Sequence, residues 1–297
     1  DSTSNKFRCY ENGTWKDCIT TAVDNMRVDV FTSNGTWFKP AGVKFVKVIV
    51  TGGGGGGGGA DGDGSNEGGG GGGGAGGTAI KIFSGADLPD TVEVTVGAGG
   101  AGGAGEGGGN GADGTTSSFG TLVYAQGGKG GQGVNSTGIC LAADIGTGGA
   151  GGSASGGDIN ISGGSGGNPG SCVGEEVVGA MGGASYWGGG GVGGEASGAG
   201  ATPGGNGVAY GSGGGGAVNV DSTTGARGGD GAPGIVVVFS YIYSGGADFA
   251  EWYETKEDVE AGDVVTLSDE LLEYDSQLGP AKIPVLEKAK RGSNFIG

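Results

Sequence analysis

Apolar and polar residues alternate with a period of two in several short stretches, and each predicts a strand. In "FRCYENGTWKDC" the pair Asn12-Gly13 separates Tyr10 from Trp15, and in "VDVFTSNGTWFKP" Asn34-Gly35 separates two aromatic-rich runs. Asn-Gly favours the tight two-residue turn, so both segments predict hairpins. "VKFVKVIV" at 43–50 alternates and then becomes continuously apolar, which predicts a buried strand. Further strands are predicted at 78–83 (TAIKIF), 91–96 (TVEVTV), 121–126 (TLVYAQ) and 234–241 (GIVVVFSY). Near the end, "EWYETKEDVEAGDVVTLSDE" predicts a strand, a turn at Ala261-Gly262-Asp263 and a second strand, and Pro280 and Pro284 limit helix downstream.

Between these strands the period is three. Non-glycine residues recur at Ala98, Ala101 and Ala104, at Lys129 and Gln132, at Ala150 and Ser153, at Ser162, Ser165, Asn168 and Ser171, and at Val192 and Glu195. Neither an α-helix nor a strand has this repeat, but the extended polyproline-II helix does. Such a helix makes no internal hydrogen bonds, so its buried N–H and C=O groups need partners on other segments. Where two residues in three are glycine, neighbouring backbones can approach closely enough to supply them. The pattern therefore predicts a packed sandwich of antiparallel glycine helices, with irregular glycine loops on a β-scaffold as the competing arrangement. Collagen is rejected, because the runs are short and only seven prolines are present.

Composition divides the chain into three regions. Residues 1–50 form an N-terminal hairpin and strand region. Residues 51–234 hold all but nine of the 84 glycines. Residues 235–297 open with an apolar strand and continue as an acidic β-rich module. The expected fold is mainly β, with a glycine-helix sandwich flanked by small β modules and little or no α-helix. A net charge of −17 argues against nucleic acid or an anionic membrane as partner. No apolar run approaches the roughly 20 residues of a membrane span.

The chain has no histidine, which excludes Ser-His and Cys-His nucleophile systems. "GGKGGQG" at 127–133 lacks the hydroxyl residue that a phosphate loop places after its lysine. No enzyme constellation or resident cofactor is expected. The island "DGDGSNE" inside the first glycine run supplies Asp61, Asp63, Asn66 and Glu67. These are the hard oxygen ligands calcium prefers, without the spacing of an EF-hand, and the alternative is a solvated loop tip between two glycine helices. Tyr186 and Trp187 stand alone between glycine runs, either as a stacking surface for a sugar or partner protein or as a cap on the sandwich. Cys9, Cys18, Cys140 and Cys172 are even in number, with no Cys-x-x-Cys spacing, so disulfides are expected over a metal cluster, with free thiols as the alternative. Chain order suggests Cys9 with Cys18 and Cys140 with Cys172, among three possible pairings. Bridges would place the protein in an oxidising compartment.

The order "FTSNGTWFKPAGVKFVKVIVTGGGGGGGG", "TVEVTVGAGGAGG", "SSFG", "AYGSGGGGA" and "GGDGAPGIVVVFSY" resembles the glycine-rich domain of bacteriophage tail-fibre and tail-tip proteins, over about residues 30 to 242. That resemblance implies a polyglycine-II sandwich whose distal loops bind a host receptor, with 61–67 and 185–187 as candidate tip segments. "GADFAEWYE" with "EAGDVVTL" resembles a module near the C-terminus of phage fibres and of bacterial surface proteins. The expected function is a non-enzymatic extracellular structural protein, a subunit of a self-assembling surface fibre with an adhesive role. Its partners would be copies of itself and a cell-surface protein or glycan. The alternative is the receptor-binding adhesin of a virion tail fibre.

Overall fold

The computed structural model describes residues 8–11, 14–17, 26–62, 64, 67–135, 145–170, 176–242, 265–276 and 279–288. The chain divides into two units, one of residues 1–18 with 245–297 and one of residues 19–244. In the first unit β1 (Arg8–Glu11) pairs antiparallel with β2 (Thr14–Asp17), Tyr10 opposite Trp15 and Glu11 opposite Thr14, so these strands pair as a hairpin, with Asn12 and Gly13 between them outside the described residues. Later in the chain, a long strand over Val265–Ser276 pairs antiparallel with another over Gly279–Lys288. Pro280 and Pro284 lie inside the latter strand.

The second unit runs β3 (Met26–Phe31), β4 (Gly35–Phe38), β5 (Val43–Thr51), β6 (Ala60–Asp61), β7 (Glu67–Gly69), β8 (Thr78–Ser84), β9 (Thr91–Thr95), β10 (Ser117–Phe119), β11 (Val123–Ala125), β12 (Val134–Asn135), β13 (Ala154–Ser155), β14 (Ile159–Ile161), β15 (Glu176–Val178), β16 (Glu195–Ser197), β17 (Gly200–Thr202), β18 (Val218–Val220) and β19 (Ile235–Ile242). One 3-10 turn, Gly85–Asp87, is its helical content among the described residues. Mainly β is therefore the observed class.

Ten of these strands make two five-stranded sheets, β13-β11-β10-β9-β4 and β14-β8-β5-β19-β3. All their pairings are antiparallel. Alternation turns Val46, Val48, Val50, Val236 and Val238 of the second sheet toward Trp37, Val92, Val94, Phe119 and Val123 of the first, and these form one buried core. The rings of Trp37 and Phe119 meet edge to face at 5.6 Å. The second Asn-Gly pair departs from the hairpin expectation. β3 pairs with β19 and β4 with β9, so the chain crosses from one sheet to the other at 32–34. Asn34 Oδ1 accepts a hydrogen bond from Val96 N at 2.8 Å, which ties the crossing to the first sheet. A turn residue pair permits a hairpin, but β3 finds its pairing partner in β19 and β4 in β9.

Above the sheets the glycine region is a hydrogen-bonded lattice. Along 52–60 successive N–H groups donate in strict rotation to three different neighbours: Gly52, Gly55 and Gly58 to Gly77, Gly74 and Gly71; Gly53, Gly56 and Gly59 to Thr115, Ala112 and Gly109; Gly54, Gly57 and Ala60 to Ala232, Gly229 and Ala226. All are 2.8–3.0 Å long. Its carbonyls accept from three more segments, for example from Gly100, Gly128 and Gly214. A donor direction that repeats every third residue defines the extended three-fold helix, and at about 3.1 Å per residue these runs span about 25 Å.

Among the described residues three such helices, 52–59, 70–77 and 211–217, each bond to six neighbours and to one another. Nine more surround them, at 97–104, 109–115, 126–133, 146–152, 163–168, 179–184, 189–194, 203–208 and 226–233, bonded in that order, and the last closes onto the first through Gly228 N to Gly103 O and Gly231 N to Gly100 O. Adjacent ring members run antiparallel except 203–208 and 226–233, which are parallel. A ring of nine cannot alternate throughout, and this is where the chain passes through the middle as 211–217 before returning. The sandwich is thus antiparallel for the most part, with parallel neighbours inside it.

Glycine is required here by distance rather than by left-handed dihedrals. A Cβ on any of Gly52 to Gly59 would lie 1.9–2.3 Å from a carbonyl oxygen of a neighbouring helix. In the ring one position in three faces outward, and accessibility there repeats with period three, as at 97–104 and 145–153. Side chains occupy that position, and several satisfy backbone donors at the lattice edge. Asn110 Oδ1 accepts from Gly133 N, Asp113 Oδ1 from Gly130 N, Asn168 Oδ1 from Gly148 N and Asp230 Oδ1 from Gly102 N.

The carboxylates among them set an acid limit. Lys129, then the Gly130 N–H, hold the Asp113 carboxyl below its ordinary value, and Lys81 with the Ile82 N–H does the same for Asp158. Burial pushes Asp230 upward, but the Gly102 N–H and Arg227 outweigh it and the net direction is down. A depressed folded-state pKa stabilises the fold above the unfolded value and loses that contribution as pH falls through the folded one. Thermal melts should therefore show a melting temperature that declines below about pH 4. An unchanged melting temperature down to about pH 2 would contradict these pairings.

Candidate interaction surfaces

Chain direction assigns the connections to two ends of the lattice. The helix 52–59 leaves β5 at Thr51 and ends at Ala60, so the sheets lie at one end and the segment 61–67 at the other. Both ends of the described second unit, Met26 and Ile242, lie in the second sheet, with Met26 opposite Tyr241. Among the described residues the opposite end carries the short paired strands β12-β6, β15-β16 and β17-β18-β7.

At that loop end the acidic island is partly folded in. Asp61 stands in β6, paired in parallel with β12, and its Oδ2 accepts from Gly107 N at 2.6 Å. Glu67 is buried in β7 opposite Val220. Asp63 and Asn66 lie outside the described residues. Among the described residues no group of three or more acidic or cysteine side chains gathers in a way that could hold a metal ion. Asn219, fully buried, accepts from Ser222 N and donates to Thr224 O, closing the adjoining loop on itself. Cys18, Cys140 and Cys172 and the side chain of Cys9 also lie outside the described residues, so the disulfide expectation falls there too.

Tyr186 and Trp187 are at the sheet end, about a helix length from Asp61, so the two candidate segments form separate surfaces. Ser185 and Gly188 close the turn between 179–184 and 189–194. The rings of Tyr186 and Trp187 meet edge to face at 5.2 Å. Trp187 Nε1 donates to Thr51 Oγ1 at 2.9 Å, and Ser185 Oγ donates to Tyr210 O at 2.7 Å. A second turn at 209–211 joins 203–208 to 211–217, and Gly211 N donates to Pro233 O. Both turns press on the junction of lattice and second sheet.

This produces a step. Strands of the first sheet continue the helices 97–104, 109–115, 126–133 and 146–152, and strands of the second continue 52–59, 70–77, 163–168 and 226–233. The remaining four helices, 179–184, 189–194, 203–208 and 211–217, have no strand at this end and overhang the outer face of the second sheet. Nearest the overhang Ile49, Ile235 and Val237 are buried. Farther from it, or on the edge strand β3, Met26, Val28, Val30, Phe45, Ile82 and Tyr241 are 42–58% exposed on the same face. Alternation places one charged residue there, Lys47, whose Nζ lies 5.8 Å from the Phe239 ring centroid. The apolar run of β5 does predict a buried strand, and the structure buries one face of it and half of the other. The signal for the open half lay in both sets of alternate positions being apolar, a pattern of sheets covered on both sides.

A family model described as a glycine-rich domain matches residues 30–241, the sandwich and lattice together. No curated protein sequence matches the chain.

Proposed function

Starting from a chain that belongs to the glycine-rich domain family, we propose that it is a non-enzymatic structural protein, a subunit of a self-assembling extracellular fibre. The observation that carries this reading is the open apolar sheet face at one end of a body held together by backbone hydrogen bonds. Contiguous apolar surface beyond a few hundred Å² marks a protein–protein contact on a soluble chain. The lattice itself offers little side-chain chemistry, since its interior is glycine except for Ala75, Ser212 and Ala217, and many outward side chains bond to its edge. Such a body suits load-bearing and spacing. The even cysteine count is consistent with an oxidising, extracellular setting.

The second reading is the adhesin of a phage tail fibre or cell appendage. It is favoured by the free loop end of the lattice, remote from Met26 and Ile242, where 61–67 and its neighbouring loops would meet a receptor protein or glycan. Negative-stain microscopy of the full chain separates the two readings. Filaments at high concentration are expected. Particles that stay dispersed at every concentration sink the fibre reading, and dispersed particles that bind cells saturably support the adhesin.

A further inference from the structure

We propose that the open face of the second sheet is a self-complementary docking surface, occupied by the same face of a second copy of the chain. This deepens the fibre reading and rests on its premise that copies associate. The helices 179–184, 189–194, 203–208 and 211–217 extend past the second sheet with no strand of their own at this end, and the space beneath them has a sheet on one side only. Sheets pack face to face about 10 Å apart, so a further sheet fits against the open face. β5 and β19 carry apolar residues on both faces, and β3 and β8 add Met26, Val28, Val30, Ile80 and Ile82 to the open one.

Two chains of −17 repel across most of their surfaces. On this face no acidic residue stands at an outward position, since Asp29 alternates to the other side and pairs with Arg27. Its lone charge, Lys47, already lies against the Phe239 ring. Copies therefore meet here with the least opposition and the most apolar area to remove from water. A two-fold axis brings sheet against sheet. An isologous contact of this kind closes on itself as a dimer, and a second contact elsewhere is needed to extend it into a fibre.

Sedimentation of the full chain over a range of concentrations tests this. The chain should form a discrete dimer. Ile82→Glu, at an exposed position, should weaken the dimer by more than about tenfold with the thermal transition retained. Lys47→Leu should tighten it by about tenfold, a gain that damage to the fold would not produce. If Ile82→Glu does not fold, the Lys47→Leu result decides. A chain that stays monomeric, or a dimer that neither substitution shifts, overturns the proposal. Filaments that persist unchanged in Ile82→Glu overturn it and leave the fibre reading intact. A dimer that responds as stated, without filaments, upholds it and removes the fibre reading.

Discussion

Gly57→Ala is expected to abolish the folded lattice at ordinary temperatures. The added Cβ would stand 1.9 Å from Gly215 O and 2.4 Å from its carbonyl carbon. A Cβ has no rotamer by which to escape, so one helix must move. Gly57 N donates to Gly229 O, Gly57 O accepts from Gly103 N, and Gly215 N donates to Gly205 O, so movement strains bonds to several neighbours. At a compatible site Gly→Ala stabilises by about 0.4–1 kcal/mol through the unfolded chain. Here that gain is overwhelmed, because overpacking a rigid interior costs about 1–3 kcal/mol even where side chains can yield, and here only backbone can. We expect a loss of about 4 kcal/mol or more, at the extreme of single substitutions. Calorimetry would read it as a lost or steeply lowered transition. Ser165→Ala, on an exposed outward position of the ring, is the control and should stay within about 0.5 kcal/mol. Equal effects of the two would refute the lattice.

Trp37→Ala should cost nearly as much by a different mechanism. Trp37 is fully buried between the two sheets, and its removal leaves a cavity against Phe119 and the valines around it. Truncating a buried aromatic to alanine costs about 3–5 kcal/mol. Domains of this kind have about 5–15 kcal/mol in total. Because β5 runs directly into the helix 52–59, loosening the sandwich should loosen the lattice, and chemical denaturation should remain a single transition at a much lower midpoint. Trp37 Nε1 has no hydrogen-bond partner and is buried. Trp37→Phe keeps much of the packing and removes that donor, so it should lie within about 1.5 kcal/mol of the native chain. A Phe variant as unstable as the Ala variant would point to the nitrogen rather than to packing.

Much of the architecture was legible in the residues. Period-two runs located β5, β8, β9 and β19, and the period-three runs located the glycine helices and the positions that face outward, since a Cβ on most of the inward glycines would meet backbone. The strands flanking the first Asn-Gly pair form a hairpin and those flanking the second do not. Both have the same local preference, and the difference lies in which sheet edge is free, a long-range matter. The candidate sites were less legible. Asp61 and Trp187 read as comparable loop residues because each stands in or beside a glycine run, yet one is at the loop end and the other at the sheet end. That assignment depends on whether a helix runs up or down, which no local pattern encodes.

Glycine content and spacing alone narrow the middle of the chain to packed extended helices or irregular loops on a β-scaffold, because segments so poor in side chains bring backbone against backbone. The alternation of valines settles that sheets adjoin them. Only the assembled fold decides that nine helices close around three, that one pair in the ring must run parallel, and that four helices overhang a sheet apolar on both faces. These are consequences of connecting many identical glycine segments in three dimensions. Residues that lack side chains carry no label for their neighbours, so the choice of partner is left to chain direction, loop length and the count of helices in the ring.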